Sequence, residues 1–348
     1  MPNDGHFLGE NGGDRNMINI GIIGAGRIGR LHAENMQHIP NVKIKGISDV
    51  MIAQMEDWAK EKNISIVTDN YEDLLRDPEI HAIFVCSPTS THAEIIKKAA
   101  AAGKHIFCEK PVSFSVEETV EVINEVEKAG VKFQVGFNRR FDPNFKRLHD
   151  LVQQGQIGTP HILKITSRDP KPPTIDYVRT SGGLFMDMMI HDFDMARYIV
   201  NSEVVEVFAQ GAVLIDSEIG KAGDIDTAVV TLKFENGALG VIDNSRQAVY
   251  GYDQRVEIFG DKGAATADNC RPTTVELSTS DHVVKDKPLY FFLERYSEAY
   301  IEEVKQFVHA CMDNESVLCS GFDGLQAQRI AKAAQESFEK GVPVKVEF

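Results

Sequence analysis

The fold turns on Ile18-Asn19-Ile20-Gly21-Ile22-Ile23-Gly24-Ala25-Gly26-Arg27-Ile28-Gly29. Four isoleucines in six residues read as a short buried strand. The run then breaks into a G-x-G-x-x-G, and Arg27 to Ile39 continues with helix-like spacing. Gly24 permits the tight turn and Gly26 lets backbone approach a pyrophosphate. Arg27 and Ile28 open the helix N-terminus beneath that group, and Gly29 lets helix and strand pack closely. A second strand, Val42 to Asp49, ends on an acid twenty residues past Gly29. Asp49 in that position accepts hydrogen bonds from the adenosine ribose and repels a 2′-phosphate. No arginine follows in Val50-Met51-Ile52, so the expected cofactor is NAD rather than NADP.

Outward from this unit, strands and helices alternate. HAIFVCSP, KHIFCEKP and VKFQVGF are apolar strands. Helices are expected over Gln54–Lys62, from Tyr71, over Thr91–Ala102 and over Ser115–Ala129, the last with a Ser115/Glu118 start and a Gly130 stop. This is the pattern of a doubly wound parallel sheet. Its ligand lies beyond the carboxyl ends of the strands. Ser87, Pro88, Thr89 and His92, after the fourth strand, are therefore candidates for the cofactor region, and so are Glu109 and Lys110 after the fifth. His92 also reads as an ordinary helix-start histidine.

Past Asn138 the texture changes. Asp142–Gln154 is a bridging helix. Longer strand candidates follow, several alternating apolar and polar residues: HILKITSRD, VVEVFAQGAVL, DTAVVTLKF, GALGVIDNSRQ, QRVEIFGDKG, AATADN and TTVELSTS. Asn236-Gly237 marks a hairpin. Helices over Glu294–Cys311 and Gly324–Lys340 close the chain. The expected architecture is an α/β chain. A Rossmann unit at 17–137 is followed by an α+β unit at 138–348 with a large, mostly antiparallel open sheet, and 1–16 forms a polar, flexible extension with Met17 a candidate start.

Composition narrows the function. The 348 residues are 43% hydrophobic and carry a net charge of −15, an unfavourable balance for nucleic acid or anionic membranes. No apolar run approaches ~20 residues, so no membrane span is expected. Five cysteines without paired spacing fit a reducing, cytoplasmic setting.

The densest chemistry is in Ser181 to Tyr198, SGGLFMDMMIHDFDMARY. A helix from Leu184 would put Asp187 and His191 on one face, one turn apart, where a carboxylate can fix an imidazole and hold it near neutrality. The same spacing also describes a buried helix whose acid and base satisfy each other.

Several stretches together resemble one family. Glu109-Lys110-Pro111 after this nucleotide turn is similar to the Gfo/Idh/MocA sugar and polyol oxidoreductases. Ser167-Arg168-Asp169-Pro170, Tyr177, the D-x-x-x-H run, Gly136 to Asp142 and Tyr250-Gly251-Tyr252-Asp253-Gln254-Arg255 resemble its inositol 2-dehydrogenase branch. The resemblance implies a catalytic trio of Lys110, Asp187 and His191. His191 is the expected base, Asp187 its orienter, and Lys110 the cation on the reacting oxygen. It also implies a cis bond before Pro111 and a homotetramer. A ring polyol needs many hydrogen-bonding partners, and Asn138, Arg168, Asp169, Tyr250 and Gln254 are candidates beside the trio. No metal is expected. The implied reaction is oxidation of myo-inositol to scyllo-inosose. Other inositols, a pyranose such as glucose, an NAD-dependent glycosidase and a non-catalytic NAD sensor are the alternatives.

Overall fold

The computed structural model describes residues 17–348; the expected extension at 1–16 lies outside the described residues. Among the described residues, no helix is long and apolar enough to cross a membrane.

The first half alternates as its hydrophobic pattern requires. In chain order come β1 (Ile18–Ile23), α1 (Arg27–Met36), β2 (Val42–Ser48), α2 (Glu56–Glu61), β3 (Ile66–Thr68), α3 (Glu72–Arg76), β4 (Ala82–Val85), α4 (His92–Ala101), β5 (His105–Glu109), α5 (Val116–Ala129) and β6 (Phe133–Gly136). The six strands form one sheet in the order β3-β2-β1-β4-β5-β6, every pair parallel. The order reverses between β1 and β4, which opens a crevice above their carboxyl ends. Ser115 caps α5 by accepting from the Glu118 N–H, and Gly130 ends it in the left-handed region.

After α6 (Pro143–Gln153), β7 (Pro160–Arg168) starts a second sheet. Three short helices follow: α7 (Ile175–Val178), α8 (Gly183–Asp187) and α9 (Ile190–Val200). Then come β8 (Val204–Ala212), α10 (Ser217–Lys221), β9 (Thr227–Phe234), β10 (Leu239–Ser245), β11 (Asp253–Gly260) and β12 (Gly263–Ala267). Next are β13 (Glu276–Ser278), β14 (Val283–Lys285), α11 (Phe292–Arg295), α12 (Ser297–Met312), α13 (Gly321–Lys340) and β15 (Val344–Lys345). The second sheet runs β12-β11-β7-β10-β9-β8-β15 and is antiparallel except between β7 and β10. Gly237, at φ 90°, turns the hairpin between β9 and β10. The TTVELSTS stretch stays out of this sheet; its strand β13 pairs with β14 in a separate two-stranded ribbon.

One face of the second sheet is buried. Leu163, Ile165, Val207, Val230, Leu232, Ile242, Val256 and Ile258 point inward to a core shared with Phe193, Ile199, Ile330 and Ala334 from α9 and α13. On the other face, cross-strand register lines up Phe259, Ile162 and Leu239, all exposed.

The first sheet has a core on each face. One joins β4 and β5 to Ile95, Ile96, Val122 and Val126 of α4 and α5. The other contains Ile20, Ile22, Phe84 and Phe107 together with Val304, Phe307 and Val308 of α12. Phe84 and Phe107 stack at 4.5 Å, and Phe307 meets both edge-on. A helix near the end of the chain therefore completes the core of the first sheet.

Candidate active site

The glycine turn is shaped by contact. Gly24 has φ +91°, and a Cβ on it would lie 2.4 Å from the Ser87 nitrogen. A Cβ on Gly29 would lie 2.0 Å from the Gly24 carbonyl oxygen, so only glycine lets α1 approach β1 this closely. Gly26 is the reverse case: a Cβ there would meet nothing within 4 Å, which leaves open space above the N-terminus of α1. Backbone N–H groups of Arg27, Ile28 and Gly29 head that helix. Free N–H groups facing open space are the surroundings a pyrophosphate requires. Asp49 closes the turn, its Oδ2 accepting from the Ala25 N–H at 2.8 Å and its Oδ1 from the Met51 N–H at 2.8 Å. These residues fit a dinucleotide.

The rim of the crevice differs from expectation at His92. This side chain is 1% exposed, and its nitrogens lie 2.8 Å from the Pro111 carbonyl oxygen and 2.7 Å from that of Ser87. Burial holds its pKa below the usual imidazole range. The neutral ring donates its one N–H to one of these carbonyls while its other nitrogen faces the second, so the buried His92 packs between the two rim loops rather than reaching a ligand. Ser87 bonds Thr91 at 2.7 Å, and Pro88 and Thr89 form the rim beside it. Glu109 turns inward, 2.8 Å from His32 Nε2, with Glu303 of α12 in the same cluster. The Lys110–Pro111 bond is cis.

Lys110, Asp187 and His191 converge, but not as helical spacing predicts. The helix expected from Leu184 onward breaks at Met188-Met189, so Asp187 ends α8 and His191 belongs to α9. Asp187 makes no hydrogen bond to His191. Its Oδ1 accepts from Tyr177 Oη at 2.8 Å and lies 3.3 Å from Lys110 Nζ; its Oδ2 accepts from Arg246 Nη1 at 3.0 Å. Lys110 Nζ also donates to the Asp187 carbonyl at 2.6 Å. Burial pushes the Asp187 carboxyl up, but Lys110 and Arg246 more than offset it, and the group stays below the ordinary carboxylate range. The orienter expected for His191 is thus a partner of Lys110.

His191 is partly exposed, with its Nδ1 buried and unpartnered among the described residues. Burial, then the Lys110 and Arg139 cations, push its pKa well below the usual value. This corrects the expectation of a ring held near neutrality by a carboxylate. The ring is neutral at physiological pH, the state a proton acceptor needs.

The remaining candidates divide. Asp169 lies 3.9 Å from Arg246, and its carboxyl is pushed up to about 6 by burial and by Asp187 and Asp192. Asn138 is 3% exposed, and its Nδ2 has no partner among the described residues. Arg168 pairs with Asp243 at 2.7 Å, not with Asp169, and reaches Tyr250 Oη at 3.3 Å. Gln254 is 1% exposed and bonded to Ser167 and Tyr296. That buried amide braces the scaffold, against the expectation that it touches substrate. Tyr177 as an Asp187 partner, and Arg246 altogether, escaped sequence reasoning; no periodic pattern marks either.

A parallel sheet of this order, a glycine turn fitted to a dinucleotide, and a lysine beside a neutral histidine define a pyridine-nucleotide oxidoreductase. Residues 18–137 match the oxidoreductase family with an NAD-binding Rossmann fold, and 145–266 match the GFO/IDH/MocA C-terminal domain. The chain is 64% identical to the uncharacterized oxidoreductase YrbE of Bacillus subtilis, over 95% of this chain and 97% of that protein. It is 51% identical to a myo-inositol 2-dehydrogenase of Thermotoga maritima, over 95% and 99%. The structure of a Lactobacillus casei scyllo-inositol dehydrogenase with NAD(H) and scyllo-inositol bound superposes with a TM-score of 0.89 at 32% identity, over 95% of this chain and 99% of that one. The chain belongs to the Gfo/Idh/MocA family of NAD-dependent oxidoreductases.

Proposed function

We propose that this oxidoreductase converts myo-inositol to scyllo-inosose. The observation that carries the reading is the meeting of Lys110, Asp187 and a neutral His191 in a chain half identical to a myo-inositol 2-dehydrogenase. NAD, when bound, takes the hydride from the reacting carbon. His191 takes the hydroxyl proton at Nε2, its Nδ1 being buried. Lys110 holds the reacting oxygen and stabilises the negative charge that develops there. Asp187 holds Lys110 in place. Arg168, Asp169, Asn138 and Tyr250 bind the other ring hydroxyls, and Asp49 binds the adenosine ribose and disfavours NADP.

A second reading, scyllo-inositol as substrate, is favoured by the solved neighbour that holds that epimer. A screen of myo-, scyllo- and chiro-inositol and glucose with NAD and NADP, followed at the nicotinamide absorbance band, decides between them. Strongest turnover with myo-inositol and NAD is expected. No NADH from any inositol sinks the reading, and equal use of NADP sinks the role of Asp49.

We further propose that 17–137 binds the cofactor and that 138–348 binds the substrate and assembles a homotetramer. The exposed Phe259–Ile162–Leu239 row on the open sheet supports that assembly. A cytoplasmic setting is supported by five free cysteines, two of them buried.

A further inference from the structure

Arg246 follows β10 and is 2% exposed. Among the described residues its guanidinium makes one side-chain hydrogen bond, Nη1 to Asp187 Oδ2 at 3.0 Å; Nε and Nη2 are buried without partners. Asp224, 3.8 Å from Nη2, accepts from the Leu184 N–H at 2.9 Å. Arg246 thus stands between the carboxylate that holds the start of α8 and the one that ends it. Around it are Asp169 after β7, Tyr177 on α7, and Lys110 after β5, with His191 beginning the next helix.

We infer that Arg246 is a positioning residue for the hydride transfer: it competes with Lys110 for Asp187 and so leaves the Lys110 ammonium free to hold the reacting oxygen. The inference rests on the dehydrogenase reading above. A buried carboxylate shared by two cations binds each less completely than it would bind one. With Arg246 absent, Asp187 keeps Lys110 to itself, and its own protonation moves upward because one of the two cations that favour its anion is gone. A merely structural role, bracing α8 through Asp224 and Asp187, would instead loosen the helix and expose Lys110.

The test compares the parent with Arg246→Met and Arg246→Lys, each first checked for cooperative melting and NAD affinity. Arg246→Met is expected to retain NAD binding and to lose roughly 10–100-fold in kcat with myo-inositol. The acid limb of kcat/KM should move up by roughly one pH unit or more. Arg246→Lys, which keeps the charge, should fall between Arg246→Met and the parent. The second measurement needs no substrate: the rate of reductive methylation of Lys110, read by peptide mass spectrometry at fixed pH. With Arg246 gone, Asp187 holds the Lys110 ammonium more completely, so labelling in Arg246→Met should slow several-fold. Faster labelling, or an unmoved acid limb with unchanged labelling, overturns the inference. If Arg246→Met does not fold, Arg246→Lys with the parent's acid limb and labelling rate overturns it equally. If the parent oxidises no inositol, the dehydrogenase reading fails on its own, while the labelling still reports whether Arg246 and Lys110 share Asp187.

Discussion

A base that must accept a proton near neutral pH works only while it is unprotonated. Burial and the cations Lys110 and Arg139 keep His191 in that state well into the acid range. His191→Ala should leave NAD binding nearly intact and cut turnover by ~10²–10⁴-fold. In the parent enzyme, the histidine limb of the rate profile should lie below the usual imidazole pKa; a limb at or above 6.5 would refute the neutral-base role. Asp169 carries the opposite burden. Its folded pKa, about 6, lies above the unfolded value of 3.8, so stability is full below about 4 and falls as pH rises through 6. Asp169→Asn should therefore melt like the parent near pH 4 and higher at pH 7, by up to about 3 kcal/mol before solvent screening is counted. It should also bind polyol more weakly. A variant equally stable at both pH values would show that the buried charge costs nothing.

At the scale of elements, the join between α12 and the first sheet is chemically unusual. Glu303 is fully buried, neither carboxylate oxygen has a partner among the described residues, and burial followed by Glu109 pushes its pKa well above the ordinary range. A raised folded pKa means stability present below the unfolded value and lost as pH climbs. Glu303→Gln mimics the protonated form. Its melting temperature should match the parent near pH 4.5 and exceed it increasingly toward pH 8; parallel curves would contradict this. The strands, the glycine turn and Asp49 were legible because local periodicity and spacing encode them. Asp187 and His191 were legible as residues, but the partnership expected between them does not form. Arg246, 59 residues downstream, and Tyr177, 10 upstream, draw the carboxylate away where the helix breaks. His92 and Gln254 looked like ligand contacts because their positions in the chain do not disclose the carbonyls and hydroxyls that enclose them. The helix at 294–311 was read correctly as a helix, but not as a cover for a sheet some 200 residues earlier in the sequence.

For the whole molecule, the proposed assembly rests on the open face of the second sheet. Among aliphatics of its strands, Val229 points outward at 47% exposure, Val241 is half-buried, and Leu232 lies in the core. An exposed apolar row beside ion pairs such as Lys164–Glu257 has the mixed character of a surface that meets another protein. Leu239→Lys should reduce the particle mass in light scattering at micromolar concentration while leaving each subunit folded. An unchanged mass would place the interface elsewhere.

The packing of α12 on the first sheet has a consequence for synthesis. A ribosome releases the nucleotide-binding strands long before Val304, Phe307 and Val308 emerge, so one side of that sheet waits bare, with Ile20, Ile22, Phe84 and Phe107 uncovered. The nascent chain therefore has a window in which it can stick to others, and chaperones have a reason to hold it. Residues 17–137 made alone should be insoluble or bind a hydrophobic dye, and co-expression with 294–348 should rescue them. A soluble, dye-silent fragment would show that the early sheet closes without its late helix.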